Sequence, residues 1–317
     1  MKTYRLTLNV LSAFGTPLVG DTLFGQLCWG IRHRFGNEKL KELLNGYTEQ
    51  KPFLVVSDAF PSNYLPLPKL PSKFWQTQKK IDAAERKKMK KKVWISLEHL
   101  KMETDMWQQY AISDKEAFAL GKISSLQIHN TINRKTNTTS TGQFAPYSQS
   151  QTWYAQESQL DLYVVLDEDR FSLENLKLIL ADIGTFGYGR DASTGMGKFI
   201  VKHCEEFSSV QNNPNSYFTL ANCAPFNCGL NAEQSFYQIT TRFGRHGNIL
   251  GLGKSPFKKP ILLTKAAAIF SPKIWQEKMF IGNGLTGISY SSLEAIHQGY
   301  APILAIHVDF SRCNKEC

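Results

Sequence analysis

Long hydrophobic runs are missing from this sequence of 317 residues. Its apolar stretches, such as Phe53 to Val56 and Ile261 to Leu263, are far shorter than the roughly 20 residues that a membrane-spanning helix needs. The first residues, Met1 to Arg5, alternate polar and apolar side chains, which is typical of a strand and not of a signal peptide. We therefore expect a cytoplasmic protein with no membrane partner.

Cysteine is scarce, and the six cysteines are not spaced as metal ligands. Cys223 and Cys228 form one close pair and Cys313 and Cys317 another, but neither has a His or Cys partner at zinc-finger spacing. Because disulfides are rare in the cytosol, we interpret all of these thiols as reduced. The sequence predicts neither a metal site nor a cofactor.

Motifs for nucleotide hydrolysis and nucleophilic catalysis are also missing. The segment Gly251 to Ser255 is similar to the end of a P-loop, but Asn248 stands where that motif requires glycine. No Gly-x-Ser-x-Gly segment occurs. His33 and His129 could act as general bases on a ribose hydroxyl, although such residues more often bind RNA or face solvent. We predict no catalytic residue.

Acidic residues are outnumbered by basic ones, 27 against 37, which gives a net charge of +10. This charge favours polyanionic partners, because each neutralised phosphate releases a counterion. The segment from Lys79 to Lys92 holds eight basic and two acidic residues. Its apolar stripe is thin, so we predict an exposed helix that is either a solvated face or a contact with nucleic acid or a partner.

The order of hydrophobic patterns predicts an α+β fold. The predicted elements are a strand at Tyr4–Val10, a helix with Asp21 as N-cap, a short strand at Phe53–Val56, strands at Ile123–Ile132 and Gln151–Leu166, a helix capped by Ser172, and a strand at Lys198–Cys204. Strand, helix, strand pair, helix, strand is the βαββαβ order of a ferredoxin-like, or RRM-like, domain.

Two such domains are predicted along the chain. Residues 1–205 form the N-terminal RRM-like domain, which contains a helical, Lys-rich insertion at about residues 62–120. Residues 206–216, with the run Asn212-Asn213-Pro214-Asn215, are typical of a linker. Residues 217–317 contain further strand-like segments and are predicted to form a second RRM-like domain.

The most informative segment is the glycine-rich stretch from Gly184 to Phe199. Five glycines in fourteen residues allow left-handed backbone and the close approach of a ligand. It is not a Rossmann fingerprint, because Ala192 stands where the third glycine belongs. The alternative to a ligand-binding loop is a tight turn in which the buried glycines have only a structural role. The side chains that suit phosphate or sugar belong to Arg190, Ser193, Thr194 and Lys198.

Two further polar segments complete a predicted RNA site. The stretch from His129 to Thr138 has the composition of a hairpin tip that contacts single-stranded RNA. The stretch from Arg242 to His246 is basic and holds an aromatic residue for stacking. The predicted RNA-binding residues are Arg32, His33, His129, Asn130, Asn133, Arg134, Lys135, Thr136, Gly189, Arg190, Ser193, Thr194, Gly195, Gly197, Lys198, Arg242 and Arg245.

Four segments together match the pattern of one family. They are Gly20–Gly25, the hairpin with Asn130, Asn133, Arg134 and Thr136, the loop Gly189–Phe199, and the ending Gly299–Val308. In these segments the chain resembles the RAMP superfamily of CRISPR effector proteins. It most resembles the type III-A (Csm complex) subunit that binds the five-prime handle of crRNA. The glycine-rich loop is the most specific of the four.

The resemblance implies a non-catalytic subunit of an antiviral ribonucleoprotein. Its implied partners are crRNA, the large polymerase/cyclase-like subunit, the backbone RAMP subunits and, indirectly, target RNA. The implied handle contacts fall on Asn133, Arg134 and the loop from Arg190 to Lys198. The segment from Pro71 to Leu120 matches no motif of the family.

Three alternatives stay open at this point. A repeat-cleaving RAMP endoribonuclease would use a histidine such as His33, but its glycine-rich loop would lie near the C-terminus, whereas 118 residues follow Phe199 here. A backbone RAMP nuclease would use an acidic residue for metal-dependent cleavage, for which Asp21 is the nearest candidate. A basic scaffold protein would have no RNA site, and changing Arg134 and Arg190 to alanine would leave its RNA affinity unchanged.

Overall fold

Helices and strands alternate along the first half of the chain, and strands dominate the second. A computed structural model describes residues 1–76, 83–118, 121–208, 210–247, 251 and 256–311. The helices are α1 (Gly20–Phe35), α2 (Asn37–Leu44), α3 (Ala83–Met89), α4 (Trp107–Tyr110), α5 (Asp114–Ala117) and α6 (Leu173–Phe186). Short 3-10 helices lie at Ser72–Phe74, Leu97–Lys101, Thr104–Met106, Gly142–Phe144, Ala192–Thr194 and Ala232–Gln234.

Within the described residues, the strands form five antiparallel sheets and ribbons. They are β1 (Lys2–Val10), β2 (Leu54–Pro61), β3 (Tyr64–Pro66), β4 (Lys92–Ser96), β5 (Ile112–Ser113), β6 (Lys122–His129), β7 (Tyr147–Tyr154), β8 (Gln159–Leu166), β9 (Phe199–Glu206), β10 (Ser216–Thr219), β11 (Ile239–Arg242), β12 (Ile261–Thr264), β13 (Ile269–Phe270), β14 (Phe280–Leu285) and β15 (His297–Ile306). The α+β class predicted from the sequence is confirmed.

The first sheet has the strand order β2-β8-β1-β9, with α1 between β1 and β2 and α6 between β8 and β9. This is the predicted βαββαβ order, but two of the predicted strands are placed differently. The segment from Gln151 to Leu166 is divided between β7 and β8, because Glu157 has a φ of 66° and reverses the chain. β2 is the strand beside β8, whereas β6 and β7 form a separate two-stranded ribbon.

Two helices cover one face of the first sheet. The buried side chains of α1 include Leu23, Leu27 and Ile31, which follow the three- and four-residue spacing seen in the sequence. α6 buries Leu176, Ile179, Leu180 and Ile183 in the same way, with Ser172 as its N-cap as predicted. Burying each of these aliphatic side chains contributes about 1.5–3 kcal/mol. The helices meet closely at Gly30, where a Cβ would lie 2.5 Å from Cγ2 of Ile179.

The second large sheet has the order β13-β10-β15-β14 and lacks the predicted topology. In the described residues its strands are joined by loops, by the 3-10 helix Ala232–Gln234 and by the two-stranded β11–β12 ribbon. A second βαββαβ domain is therefore not confirmed. The physical reason lies in residues 220–260, where turn-forming Gly, Pro and Asn residues interrupt every apolar run before a helical period develops.

The predicted insertion is mixed and not only helical. β3, β4 and β5 form a small sheet, and short helices follow it. Its buried side chains, such as Leu65, Ile95 and Trp107, share one core with Phe218 and Leu304 of the second large sheet. In the Lys-rich segment, α3 has its residues 84–88 exposed, as the sequence predicted, while residues 79–82 lie outside the described part. No helix among the described residues is long and apolar enough to cross a bilayer.

Candidate nucleic-acid interface

The glycine loop, residues 187–198, leaves α6 and leads into β9. α6 ends at Gly187, which has a φ of 105°. Gly197 has a φ of 72°, and a Cβ there would lie 2.1 Å from the carbonyl oxygen of Tyr188. The buried Tyr188 hydroxyl donates to the carbonyl of Pro17 at 2.9 Å and accepts from the Val19 amide at 3.3 Å. These glycines are therefore needed to fold the loop, which agrees with the alternative interpretation of the segment as a tight turn with buried glycines.

Polar contacts hold the loop against the connector, residues 11–19, and against α1. The Gly189 amide donates to Gln26 Oε1 at 3.3 Å, while Gln26 Nε2 donates to the Gly187 carbonyl at 3.2 Å. The Arg190 amide donates to Thr16 Oγ1 at 3.0 Å, and the Lys198 amide donates to a serine hydroxyl of the connector. Sequence reasoning did not identify these supporting side chains, because they are ordinary polar residues without a motif.

The donor side chains of the loop lie on its outer side. Ser193, Thr194 and Lys198 are exposed. Arg190 is also exposed, but its Nη2 donates to the Ser150 carbonyl at 2.5 Å and its Nε to Asp191 Oδ2 at 3.1 Å. The loop therefore presents cationic and hydroxyl groups to solvent while Arg190 joins it to β7.

β6 and β7 form a two-stranded antiparallel hairpin, which we call the ribbon. It starts beside the glycine loop. Phe14 of the connector exchanges two backbone hydrogen bonds with Thr152 of β7, each 2.9 Å long. The ribbon leaves large apolar side chains uncovered, with Ile123, Leu126 and Ile128 exposed by 67%, 72% and 70%. Their exposure was not predicted, because an apolar strand usually belongs to a core.

The ribbon tip, residues 129–138, contains the predicted polar hairpin. Asn133 pairs with Thr138, and its Oδ1 accepts from the Lys135 amide at 3.0 Å. Arg134, Lys135 and Thr136 are exposed, and so is Asn130, whereas His129 stacks on Tyr147 with ring centroids 5.4 Å apart. Three residues of extended strand separate Ser150 from Tyr147, or roughly 10 Å. The tip is thus well separated from the glycine loop at the base of the ribbon.

Arg242 makes a buried ion pair and is not simply a surface cation. Its Nε and Nη2 donate to the two carboxylate oxygens of Asp21, each at 2.7 Å, and Nη2 also donates to Thr22 Oγ1 at 2.7 Å. Asp21 is fully buried and lies in the first turn of α1, so its predicted role as N-cap is wrong: Val19 occupies that position without a side-chain cap. Helix α1 begins earlier because the Gly20 amide donates instead to Asp58 Oδ1 at 2.8 Å.

Two other titratable groups surround this ion pair. Burial, with the charge of Asp21 adding to it, raises the pKa of Asp58 to about 7. Burial lowers the pKa of His297 to about 4, against the attraction of Asp21, whose Oδ2 lies 3.7 Å from His297 Nε2. His297 is therefore neutral at pH 7, and Arg242 provides the positive charge that compensates Asp21.

The end of α1 joins another part of the predicted site. Arg32 lies over the ring of Trp29, with Cζ 5.1 Å from the centroid, and His33 stacks on the same indole at 5.7 Å. A Cβ on Gly247 would lie 3.0 Å from Trp29 Nε1, so the segment after β11 passes close to this ring. We call Trp29, Arg32, His33, Arg245 and Phe257 the α1-end surface.

Arg245 is held on this surface from the other side. Its Nη2 donates to the carbonyl of Gly251 at 3.0 Å, and its guanidinium lies 5.9 Å from the ring centroid of the exposed Phe257. The structure therefore places cations on aromatic rings, an arrangement that suits the stacking of bases. Trp29 and Phe257 were not identified from the sequence, because isolated aromatic residues there have no distinguishing pattern.

The connector brings together two parts of the predicted RNA site, the glycine loop and Arg242. It contacts the glycine loop through Thr16 and Pro17, and the first turn of α1 that follows it binds Arg242. The ribbon tip is the group that stands apart from them. The P-loop-like segment lies largely outside the described residues.

Among the described residues, no group of three or more His, Cys, Asp or Glu side chains has a geometry that could hold a metal ion. Four cysteines there are free: Cys28, Cys204, Cys223 and Cys228. Burial raises the pKa of Cys28 and that of Cys223 to about 12, which disfavours the thiolate that binds metals. Cys313 and Cys317 lie outside the described part of the chain.

Solved structures of one kind of complex have the same fold. A chain of a Csm1-Csm4 cassette in complex with cA4 matches with a TM-score of 0.62 and 12% identity, covering 96% of this chain and 98% of that chain. In the cassette with pppApA the TM-score is 0.61 at 13% identity, with 96% and 98% covered. In the Csm3-Csm4 subcomplex of the type III-A CRISPR-Cas interference complex it is 0.57 at 15% identity, with 97% and 100% covered.

These neighbours are Csm4 chains, so the resemblance predicted from the sequence, to a RAMP protein of the type III-A kind, is confirmed for the fold. No family model and no curated protein matches the sequence. At these identities the comparison establishes a shared fold, and what the chain binds has to be argued from its own residues.

Proposed function

We propose that this chain is a non-catalytic crRNA-binding subunit of a type III-A CRISPR ribonucleoprotein that acts in the cytoplasm. It grips the repeat-derived five-prime handle with the glycine loop and the ribbon tip. The observation that carries the proposal is the glycine loop: it is fixed from beneath by α1 and the connector, and its hydroxyl and cationic side chains face solvent. A pre-organised loop of this kind binds phosphates without losing further conformational freedom.

The ribbon extends this surface away from the loop. Arg190 links the loop to β7 through the Ser150 carbonyl, and Arg134 and Lys135 are exposed at the far end. Phosphates contacted at the loop and at the tip would lie several nucleotides apart on one strand. The α1-end surface adds aromatic rings for stacking, with Arg32 and Arg245 above them. We assign Arg242 a supporting role, because its guanidinium makes three hydrogen bonds, two of them to the fully buried Asp21, whereas Arg190 makes two and remains exposed.

The geometry supports binding without cleavage. Asp21, the candidate acid of a backbone RAMP nuclease, is fully buried and accepts two hydrogen bonds from Arg242. Its carboxylate is therefore not available to a metal ion or to RNA. His33, the candidate base of a repeat-cleaving endoribonuclease, stacks on Trp29 at the end of α1 and has no acidic group positioned beside it among the described contacts.

The proposed partners are taken from the solved structures with this fold. Those structures are of Csm1-Csm4 and Csm3-Csm4 assemblies. By analogy we propose that this chain docks the large polymerase/cyclase-like subunit on one side and a backbone RAMP subunit on the other. Target RNA would meet it indirectly, through the guide that it holds.

The test measures binding and cleavage of two labelled RNAs, one repeat plus spacer and its mature handle-bearing product. We expect handle-dependent binding with every RNA intact, with and without divalent metal. Arg134→Ala, Arg190→Ala and Lys198→Ala should each weaken binding about fivefold, the loss of one charged contact. Lys202→Ala, an exposed lysine on β9 outside the site, is the control of equal charge and should change it less than twofold.

Three outcomes would contradict the proposal. Metal-independent cleavage within the repeat would favour the endoribonuclease, with His33→Ala abolishing it. Metal-dependent cleavage of a complementary target would favour the backbone nuclease. Equal binding by wild type and all three alanine variants would leave a basic scaffold without an RNA site.

A further inference from the structure

A groove of about 670 Å³ opens between the insertion and the second half of the chain. One wall comes from the turn after β3 and from the end of α3 with the start of β4. The other wall comes from the segment between the 3-10 helix Ala232–Gln234 and β11. Leu67, Trp75, Tyr237 and three lysines, Lys69, Lys90 and Lys92, are among the described residues that line the groove.

The floor of the groove is apolar and firmly supported. Leu67 and Trp75 are buried in the core that the insertion shares with the second large sheet. Backbone hydrogen bonds hold both walls, from the Leu67 amide to the Val93 carbonyl at 2.8 Å and from the Phe236 amide to the Ile269 carbonyl at 2.8 Å. Tyr237 stands at the rim, half exposed, with its ring 5.6 Å from that of Phe270. The groove is thus part of the folded structure.

The charge of the groove has one sign. Lys69, Lys90 and Lys92 line it, and none of the described lining residues is acidic. The ammonium group of Lys92 donates to a backbone carbonyl, that of Gln109, at 2.7 Å. Burial is the main cause that lowers the pKa of Lys69, and repulsion by the nearby Lys265 adds to the effect. A ligand with negative charge would relieve this repulsion.

We propose that this groove binds an acidic segment of a partner protein, in which an apolar side chain enters the floor and flanking carboxylates meet the lysines. An apolar centre with a charged rim is the usual arrangement of a protein interface. We favour a protein segment over RNA because no arginine is among the described lining residues, and because Leu, Pro, Met and Val side chains line the groove beside the aromatic ones. None of the predicted RNA-binding residues lines the groove.

The probe is a set of fluorescein-labelled peptides, Glu-Glu-Asp-X-Asp-Glu-Glu with Leu, Phe or Trp at X, measured by polarisation with the full chain. We expect at least one to bind with a saturable, micromolar Kd. Lys69→Gln/Lys90→Gln should raise that Kd about tenfold, since two charge pairs are lost. Replacing every Glu and Asp of the peptide by Gln and Asn should have a similar effect on the wild type.

A matched double variant distinguishes peptide binding in the groove from general electrostatic attraction of an acidic peptide to a basic protein. Lys202→Gln/Lys273→Gln removes the same charge from exposed positions outside the groove and should change the Kd less than twofold. Arg134→Ala/Arg190→Ala should bind the peptide like wild type, so the result does not depend on the proposed RNA function. Thermal melts of all variants should superpose, because the substituted side chains are at the surface.

The proposal is overturned by any of three results. No peptide binds below 1 mM; both lysine double variants weaken binding equally; or a 12-residue oligouridylate displaces the peptide and itself binds less tightly to Lys69→Gln/Lys90→Gln. The last result would make the groove a nucleic-acid site.

Discussion

At the scale of single residues, the pairing of Asp21 with Arg242 changes what both side chains can do. The sequence presents Asp21 as a helix cap or a catalytic acid and Arg242 as an RNA contact. In the structure they form a bidentate ion pair that links α1 to β11, although the two residues are 221 positions apart in the chain. A fully buried carboxylate with this partner stabilises the native arrangement only while both charges are present.

Removing one partner should therefore be costly. We expect Asp21→Asn to lower the free energy of unfolding by about 3 kcal/mol, because the Arg242 guanidinium would be left without its counter-charge. Asp182→Asn is the matched control: Asp182 pairs with Arg34 at 3.0 Å, but both side chains are exposed, so the loss should stay below about 1 kcal/mol. Urea denaturation measures both. Equal losses would show that the buried pair contributes no more than the surface one.

At the scale of elements, the glycine loop combines a structural requirement with a functional surface. Its glycines adopt left-handed conformations and allow the loop to pack on Tyr188 and on the connector. The donor side chains between these glycines are thereby turned outwards. The two interpretations of the segment, tight turn and ligand loop, are therefore compatible.

Substitutions at two glycines of this loop distinguish the free-energy cost of a steric clash from that of a strained backbone conformation. Gly197→Ala should destabilise the protein by about 3 kcal/mol, because the new Cβ would collide with the Tyr188 backbone in addition to the strain of a positive φ. Gly195 also has a positive φ, 94°, but nothing lies within 4 Å of its Cβ position, so Gly195→Ala should cost about 1 kcal/mol. Thermal unfolding of the two variants tests this difference. Similar melting temperatures would show that the loop relaxes around the added methyl group.

At the scale of the whole molecule, the net charge of +10 and the local contacts contribute differently to RNA binding. Long-range attraction raises the association rate, whereas phosphate contacts set how steeply affinity falls with salt. The proposed contacts by Arg134, Arg190 and Lys198 are localised on the loop and the tip. The charge of α3 lies in the insertion and belongs to neither.

The salt dependence of handle binding should reflect those three contacts. We expect the logarithm of the association constant to fall with the logarithm of salt concentration with a slope of about −2, at roughly −0.7 per contact. Arg190→Ala/Lys198→Ala should reduce the slope to about −0.7, while Lys202→Ala/Lys273→Ala, with the same change in charge, should leave it near −2. A slope that follows net charge alone would contradict localised contacts.

Local patterns determined a substantial part of this protein. The period of Leu23, Leu27 and Ile31 specified the buried face of α1, and Ser172 marked the start of α6. Alternation in the first residues specified β1, and the glycines of residues 187–197 indicated the loop before β9, whereas Gly184, predicted to start that loop, lies in α6. These features depend on residues that are close together in the chain, so they can be predicted from the sequence.

Tertiary structure alone decided the partners of residues far apart in the chain. Asp21 meets Arg242, Arg190 meets Ser150, and the insertion shares a core with the second large sheet, which has a different topology from the first. The same amino-acid types would suit a cap, a free cation or an independent domain equally well. Only burial, which removes water and requires every charge and hydrogen-bonding group to find a partner, selects among these roles.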